Sequence, residues 1–158
     1  MRVLMSAALM IVVASPVSAD SRRLSGATDP VVQKECGQCH MAFPPQLLPQ
    51  RSWQKIIDSL STHVGGDVSL PEAQRKLVLD YYLANAADGP SAGKQGQKVA
   101  SSIPPTETPL RITETARWIK RHREVRSERW TSPTVKSKAN CPACHTIGQR
   151  RSHEEHED

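Results

Sequence analysis

Three stretches of the chain carry helical periodicity, separated by irregular, proline-rich sequence. In "SWQKIIDSLSTHV", Trp53, Ile56, Ile57, Leu60 and Val64 recur at helical spacing behind Ser52, a good N-cap. This predicts a helix from Ser52 to Val64, ended by Gly65 and Gly66. His63 falls at the edge of the same apolar arc of about 120°, so it faces inward. "SLPE" from Ser69 to Glu72 fits a capping box and opens a second helix through about Ala86, with Leu70, Ala73, Leu77, Tyr81 and Ala84 on one face. In "RITETARWIKRH", Ile112, Ala116 and Ile119 form a third stripe, and His122 lies three residues past Ile119. Asp29 and Pro30 read as an N-cap and an N1 proline that start a short helix leading into Cys36. "ADGPSAGKQGQK" reads as a linker. The expected class is all-α.

The first 19 residues stand apart. Arg2, an apolar run from Val3 to Ala14, Pro16 and the small-residue pattern Val17-Ser18-Ala19 read as a secretory signal peptide cleaved after Ala19. The run is too short to span a bilayer, and no later stretch is apolar enough to be transmembrane. Phe43 is the only phenylalanine in the chain, and twelve prolines limit regular structure. So thin a core needs a staple or a bound group to pack around.

"CGQCH" at Cys36 to His40 and "CPACH" at Cys141 to His145 contain all four cysteines. An exported chain raises the disulfide reading, and two CxxC pairs raise a four-thiolate zinc site. The histidine directly after each pair outweighs both. In CxxCH the two thiols add to the vinyl groups of one haem, and the histidine is fixed beneath the iron as proximal ligand. Two c-type haems are expected, attached through Cys36 and Cys39 and through Cys141 and Cys144, with His40 and His145 on the irons.

The sixth ligand separates a carrier from a catalyst. Outside the signal peptide the only methionine is Met41, bonded to His40 and so unable to reach the opposite face of the same ring. Histidine, lysine or an open position remains, and the inward-facing His63 and His122 favour histidine. Sequence proximity pairs His63 with the first haem and His122 with the second; spacing also permits the crossed arrangement. His153 and His156 sit in a short polar tail with nothing apolar to anchor it.

From Arg111 to Arg151, eleven Lys or Arg stand against three Glu, whereas from Asp20 to Leu110 nine basic residues balance nine acidic ones. The basic segment reads either as a solvated face offsetting haem propionates or as a docking patch for an acidic redox partner. Export argues against nucleic acid.

"CGQCHMAFPPQLLPQRSW", "STHVGGDVSL", "YYLANAADG", "RITETARWIKRH" and "KSKANCPACH" together resemble the dihaem cytochromes c of bacterial periplasms. The resemblance implies a class I cytochrome c-like haem domain over residues 20–88, a linker at 89–103, and a less regular, mostly helical haem domain with a polar tail over 104–158. It also implies two histidines at each iron, His40 with His63 and His122 with His145. The partners implied are a small high-spin monohaem cytochrome c as acceptor and a membrane b-type cytochrome as donor. The function expected is outer-sphere electron transfer by a periplasmic, monomeric, non-enzymatic carrier. Without methionine ligation both haems are expected at low potential. A peroxidase-like dihaem enzyme with one open haem and a haem-based sensor are the rival readings.

Overall fold

The computed structural model describes residues 26–145; the signal peptide expected at 1–19 and the tail with His153 and His156 lie outside them. Among the described residues there are six helices and no strand, as an all-α chain requires. They are α1 (Pro30–Cys36), α2 (Gln50–Asp58), α3 (Glu72–Asn85), α4 (Gly93–Ala100), α5 (Ala116–His122) and α6 (Ser127–Thr131).

α1 starts as its sequence dictates. Asp29 Oδ1 accepts from the backbone N–H groups of Val31 and Val32 at 2.9 and 3.1 Å, and Pro30 takes the first helical position, where no N–H is needed. α2 begins two residues earlier than the expected Ser52, with Pro49 as its N-cap, and Ser52 is buried inside it. It also ends early, at Asp58. The Ser59 hydroxyl donates back to the Lys55 carbonyl at 2.7 Å, competing with the helical ladder, and the chain tightens into a 3-10 turn over Leu60–Thr62. His63 therefore sits on an irregular turn rather than on a helix. Gly66 N–H closes that turn on the His63 carbonyl at 3.0 Å, with Val64 and Gly65 both at positive φ, 50° and 86°. Such a backbone is unfavourable for the β-branched Val64.

The expected capping box before α3 does not form: Ser69 Oγ donates to Asp67 Oδ1 at 2.6 Å, and Pro71 is the N-cap without a side-chain bond. The buried face of α3 is Val78 and Tyr82, one residue on from the predicted stripe, and Leu77 is 56% exposed. Trp53 of α2 decides that rotation, because its ring packs on Tyr82 with centroids 4.2 Å apart.

The stretch expected as a linker contains α4, whose Gly96 and Val99 are buried, and Ile103 beyond it joins the core. Small residues serve close packing here. A Cβ on Gly96 would stand 2.9 Å from Ala92 Cβ and 3.1 Å from the Ala87 carbonyl oxygen. Arg51 of α2 ties down the next segment, donating to the Glu107 and Pro104 carbonyls at 2.7 and 2.9 Å.

In α5 the third stripe is also rotated: Ile119 is 54% exposed, while Trp118 and His122 turn toward Trp130 of α6. Every member of the buried core cluster precedes residue 104; of the described residues after it, only Thr115 and Val135 are buried. Residues 104–145 thus have too little apolar interior of their own to account for their order.

Candidate haem sites

The end of α1 and the turn beyond it carry Cys36, Cys39 and His40 to one side of a cavity of about 820 Å³. Its walls are largely apolar, formed by Phe43, Leu48, Trp53, Ile57, Leu60 and Val78 among others. His40 and His63 both line it, with ring centroids 6.1 Å apart and planes inclined at 47°. His40 Nδ1 donates to its neighbour's carbonyl, Met41 O, at 2.7 Å, and the ring stacks on Phe43 at 4.7 Å. That bond fixes the tautomer and leaves Nε2 as the free lone pair.

The chemistry of His63 suits a ligand. Burial pushes its pKa down, and the neighbouring charges of His40 and Arg111 act in the same direction, which favours the neutral imidazole that a metal takes. Partial burial pushes the Cys36 thiol up. Burial also raises the Tyr82 pKa, so the phenol stays protonated and donates to the Phe43 carbonyl at 3.2 Å. Trp53 adds a second link to the same loop through its indole N–H, 2.7 Å from the Pro45 carbonyl.

The second site is more exposed at its motif, where His145 is exposed and His40 of the first is half-buried. A 3-10 turn over Cys141–Ala143 presents the motif, closed by His145 N–H on the Cys141 carbonyl at 2.9 Å. Asn140 anchors it by donating to the carbonyl of the buried Val135 at 2.9 Å. His122, the last residue of α5, lies with its ring 5.8 Å from that of His145, the planes crossed at 84°. Its Nδ1 donates to the Trp118 carbonyl at 2.8 Å, again leaving Nε2 free. Ala139 and Cys141 also line the first cavity, so the two sites adjoin.

These residues fit a haem in each place. Two imidazoles binding one metal ion from opposite sides at about 2.0–2.1 Å hold their centroids about 6 Å apart, as both pairs do. The four cysteines form no disulfide, and no group of three or more His, Cys, Asp or Glu gathers anywhere among the described residues, so the donors are not arranged as a four-thiolate zinc site. The rings lie in sequence order, His40 near His63 and His122 near His145.

The family model described as dihaem cytochrome c matches residues 32–153, both motifs included. The chain belongs to the dihaem cytochrome c family. Among solved structures, a dihaem cytochrome c from Rhodobacter sphaeroides is 40% identical with a TM-score of 0.68, the match covering 77% of this chain and 93% of that one. A second structure from that organism is 38% identical at a TM-score of 0.61, covering 76% of this chain and 92% of that one. A dihaem cytochrome c from Shewanella baltica is 30% identical at 0.59, with 73% and 79% covered. No curated protein sequence matches the chain. As a member of the family the protein carries two c-type haems and works as a haem electron-transfer protein.

Sequence reasoning missed the aromatic lining of the second site. Trp118 and Trp130 stand 4.2 and 5.9 Å from His122, ring to ring. The available signal was Trp118 itself, one helical turn before the histidine.

Proposed function

We propose that the protein is an exported, periplasmic electron carrier in which both irons are low-spin and bis-histidine ligated, His40 with His63 on the first and His122 with His145 on the second. The observation that carries the reading is the pair of imidazole pairs, each combining one CxxCH histidine with one from elsewhere in the fold at the separation one iron needs.

Each haem supplies a one-electron couple. The chain supplies everything around it. Met41 and Trp118 carbonyls hold two of the imidazoles in the ligating tautomer. Apolar walls keep water from the first haem, and the ligand histidines leave no position for substrate or oxygen. Electrons therefore enter and leave through exposed edges rather than by bond formation, and low potential follows from the absence of methionine ligation.

Charge supports a partner with an acidic face. Between residues 111 and 145, nine Lys and Arg stand against three Glu, while residues 26–110 hold seven against eight acidic ones. The excess exceeds the four negative charges of two haems' propionates. We assign the acceptor role to a small high-spin monohaem cytochrome c and the donor role to a membrane b-type cytochrome, with the carrier itself a monomer. No described helix is long and apolar enough to cross a membrane.

Carbon monoxide added to the dithionite-reduced holoprotein tests the reading. The spectrum is expected to stay unchanged; a carbonyl band at either haem means a labile or open site, and the carrier reading gives way to a peroxidase-like or sensing one.

A further inference from the structure

The two ligand pairs are held in different ways. Among the described residues, no aromatic ring stacks on His63 and no hydrogen bond reaches its ring, which sits on its turn. His122 is clamped. The indole of Trp118 stacks on it at 4.2 Å and 19°, and the same residue's carbonyl takes its Nδ1 proton at 2.8 Å. Trp130 closes the cluster 5.4 Å from Trp118 and 5.9 Å from His122. Lys138, three residues before Cys141, places its ammonium 5.9 Å from the centre of the Trp118 ring, a cation–π contact that ties the haem-bearing segment to α5. One face contact and one hydrogen bond together remove the rotation that a single hydrogen bond leaves to an imidazole.

We propose that Trp118, backed by Trp130, is a positioning residue for the second haem: it holds the His122 plane nearly perpendicular to that of His145 and so gives the two irons different electronic structures. The inference rests on His122 being the ligand proposed above. Each axial imidazole raises the iron d orbital that its π system overlaps. Crossed planes raise two orbitals alike and leave them nearly degenerate, so the ferric ion keeps a large orbital moment. Planes nearer alignment split the pair and quench that moment. The measured inclinations are 84° at the second site and 47° at the first. Orientation by groups behind the ligands is a known lever on a metal centre.

Low-temperature electron paramagnetic resonance of the oxidised holoprotein tests this. The wild type is expected to give two low-spin signals, one strongly anisotropic with a single large-g feature and one rhombic. His122→Ala should remove the anisotropic signal. If it removes the rhombic one instead, the ligand assignment stands and the positioning role falls; if it removes neither, the ligand assignment itself fails. Trp118→Leu should move the anisotropic signal toward rhombic form and shift the second haem's potential, with the rhombic signal and the low-spin visible spectrum retained. Trp118→Phe, which keeps a stacking face, should restore the wild-type signal. An unchanged anisotropic signal in Trp118→Leu overturns the proposal. Should that variant fail to hold its second haem, the wild-type spectrum still decides, since two signals of one rhombic type contradict a crossed pair.

Discussion

Trp53 joins the scaffold to the first haem site at a single side chain, and replacing it by phenylalanine separates its two contributions. The indole is 4% exposed, packs on Tyr82 at 4.2 Å, and donates to the Pro45 carbonyl at 2.7 Å. Phenylalanine keeps a ring against Tyr82 but loses the donor. The Pro45 carbonyl retains one long bond, from Leu48 N–H at 3.4 Å, so its loss is partial and costs about 1 kcal/mol. The missing half of the indole leaves a void in a packed wall, adding about 1 kcal/mol at the rates measured for large-to-small changes. The expected total is about 2 kcal/mol, against about 3–5 kcal/mol for Trp53→Ala, which also forfeits the ring contact. Guanidinium unfolding of the holoproteins, followed in the far ultraviolet and at the Soret band, measures both. A cost below about 0.5 kcal/mol for Trp53→Phe, or equal costs for the two variants, refutes the division into donor and ring.

Three other outcomes follow from the contacts. Arg51→Ala releases residues 104–107 from α2 and should cost about 1–2 kcal/mol; Arg51→Lys should not recover it, because its single nitrogen cannot reproduce the spread of the Nε and Nη2 donors that reach the two carbonyls, and urea melts compare them. Asp29→Ala removes the cap of α1 and should cost about 0.5–2 kcal/mol in the same assay, with asparagine nearly neutral there. Stopped-flow transfer to an acceptor with an acidic surface should slow steeply as salt shortens the screening length to about 8 Å near physiological strength, and Lys120→Glu with Arg121→Glu should slow it further at low salt. A rate indifferent to salt and to charge reversal removes the docking role of the basic segment.

The haem motifs were legible because thioether attachment fixes residue types at fixed spacing, and no tertiary contact can alter that. His63 and His122 stood out in the sequence as histidines on apolar arcs once Met41 was set aside, and the structure brings their rings to 6.1 and 5.8 Å from those of His40 and His145. Their local setting was harder to read. The Ser59 hydroxyl bonding back to Lys55 shortens α2, and periodicity registers side-chain polarity without such bonds. The rotations of α3 and α5 come from Trp53 on Tyr82 and Trp118 on His122, contacts made across elements or to a histidine that hydropathy counts as polar. Gly96 misled in the other direction: a stretch rich in glycine and serine resembles a linker, but a missing Cβ also lets α4 settle on Ala87.

The central claim is that His63 and His122 each complete one iron. Spin state in oxidised wild type, His63→Ala and His122→Ala, read by paramagnetic resonance on fully haem-loaded protein, tests it most directly. A wholly low-spin wild type is expected and, in each variant, one haem turned high-spin while the other keeps its signal. A high-spin component in the wild type, or either variant remaining wholly low-spin, contradicts it.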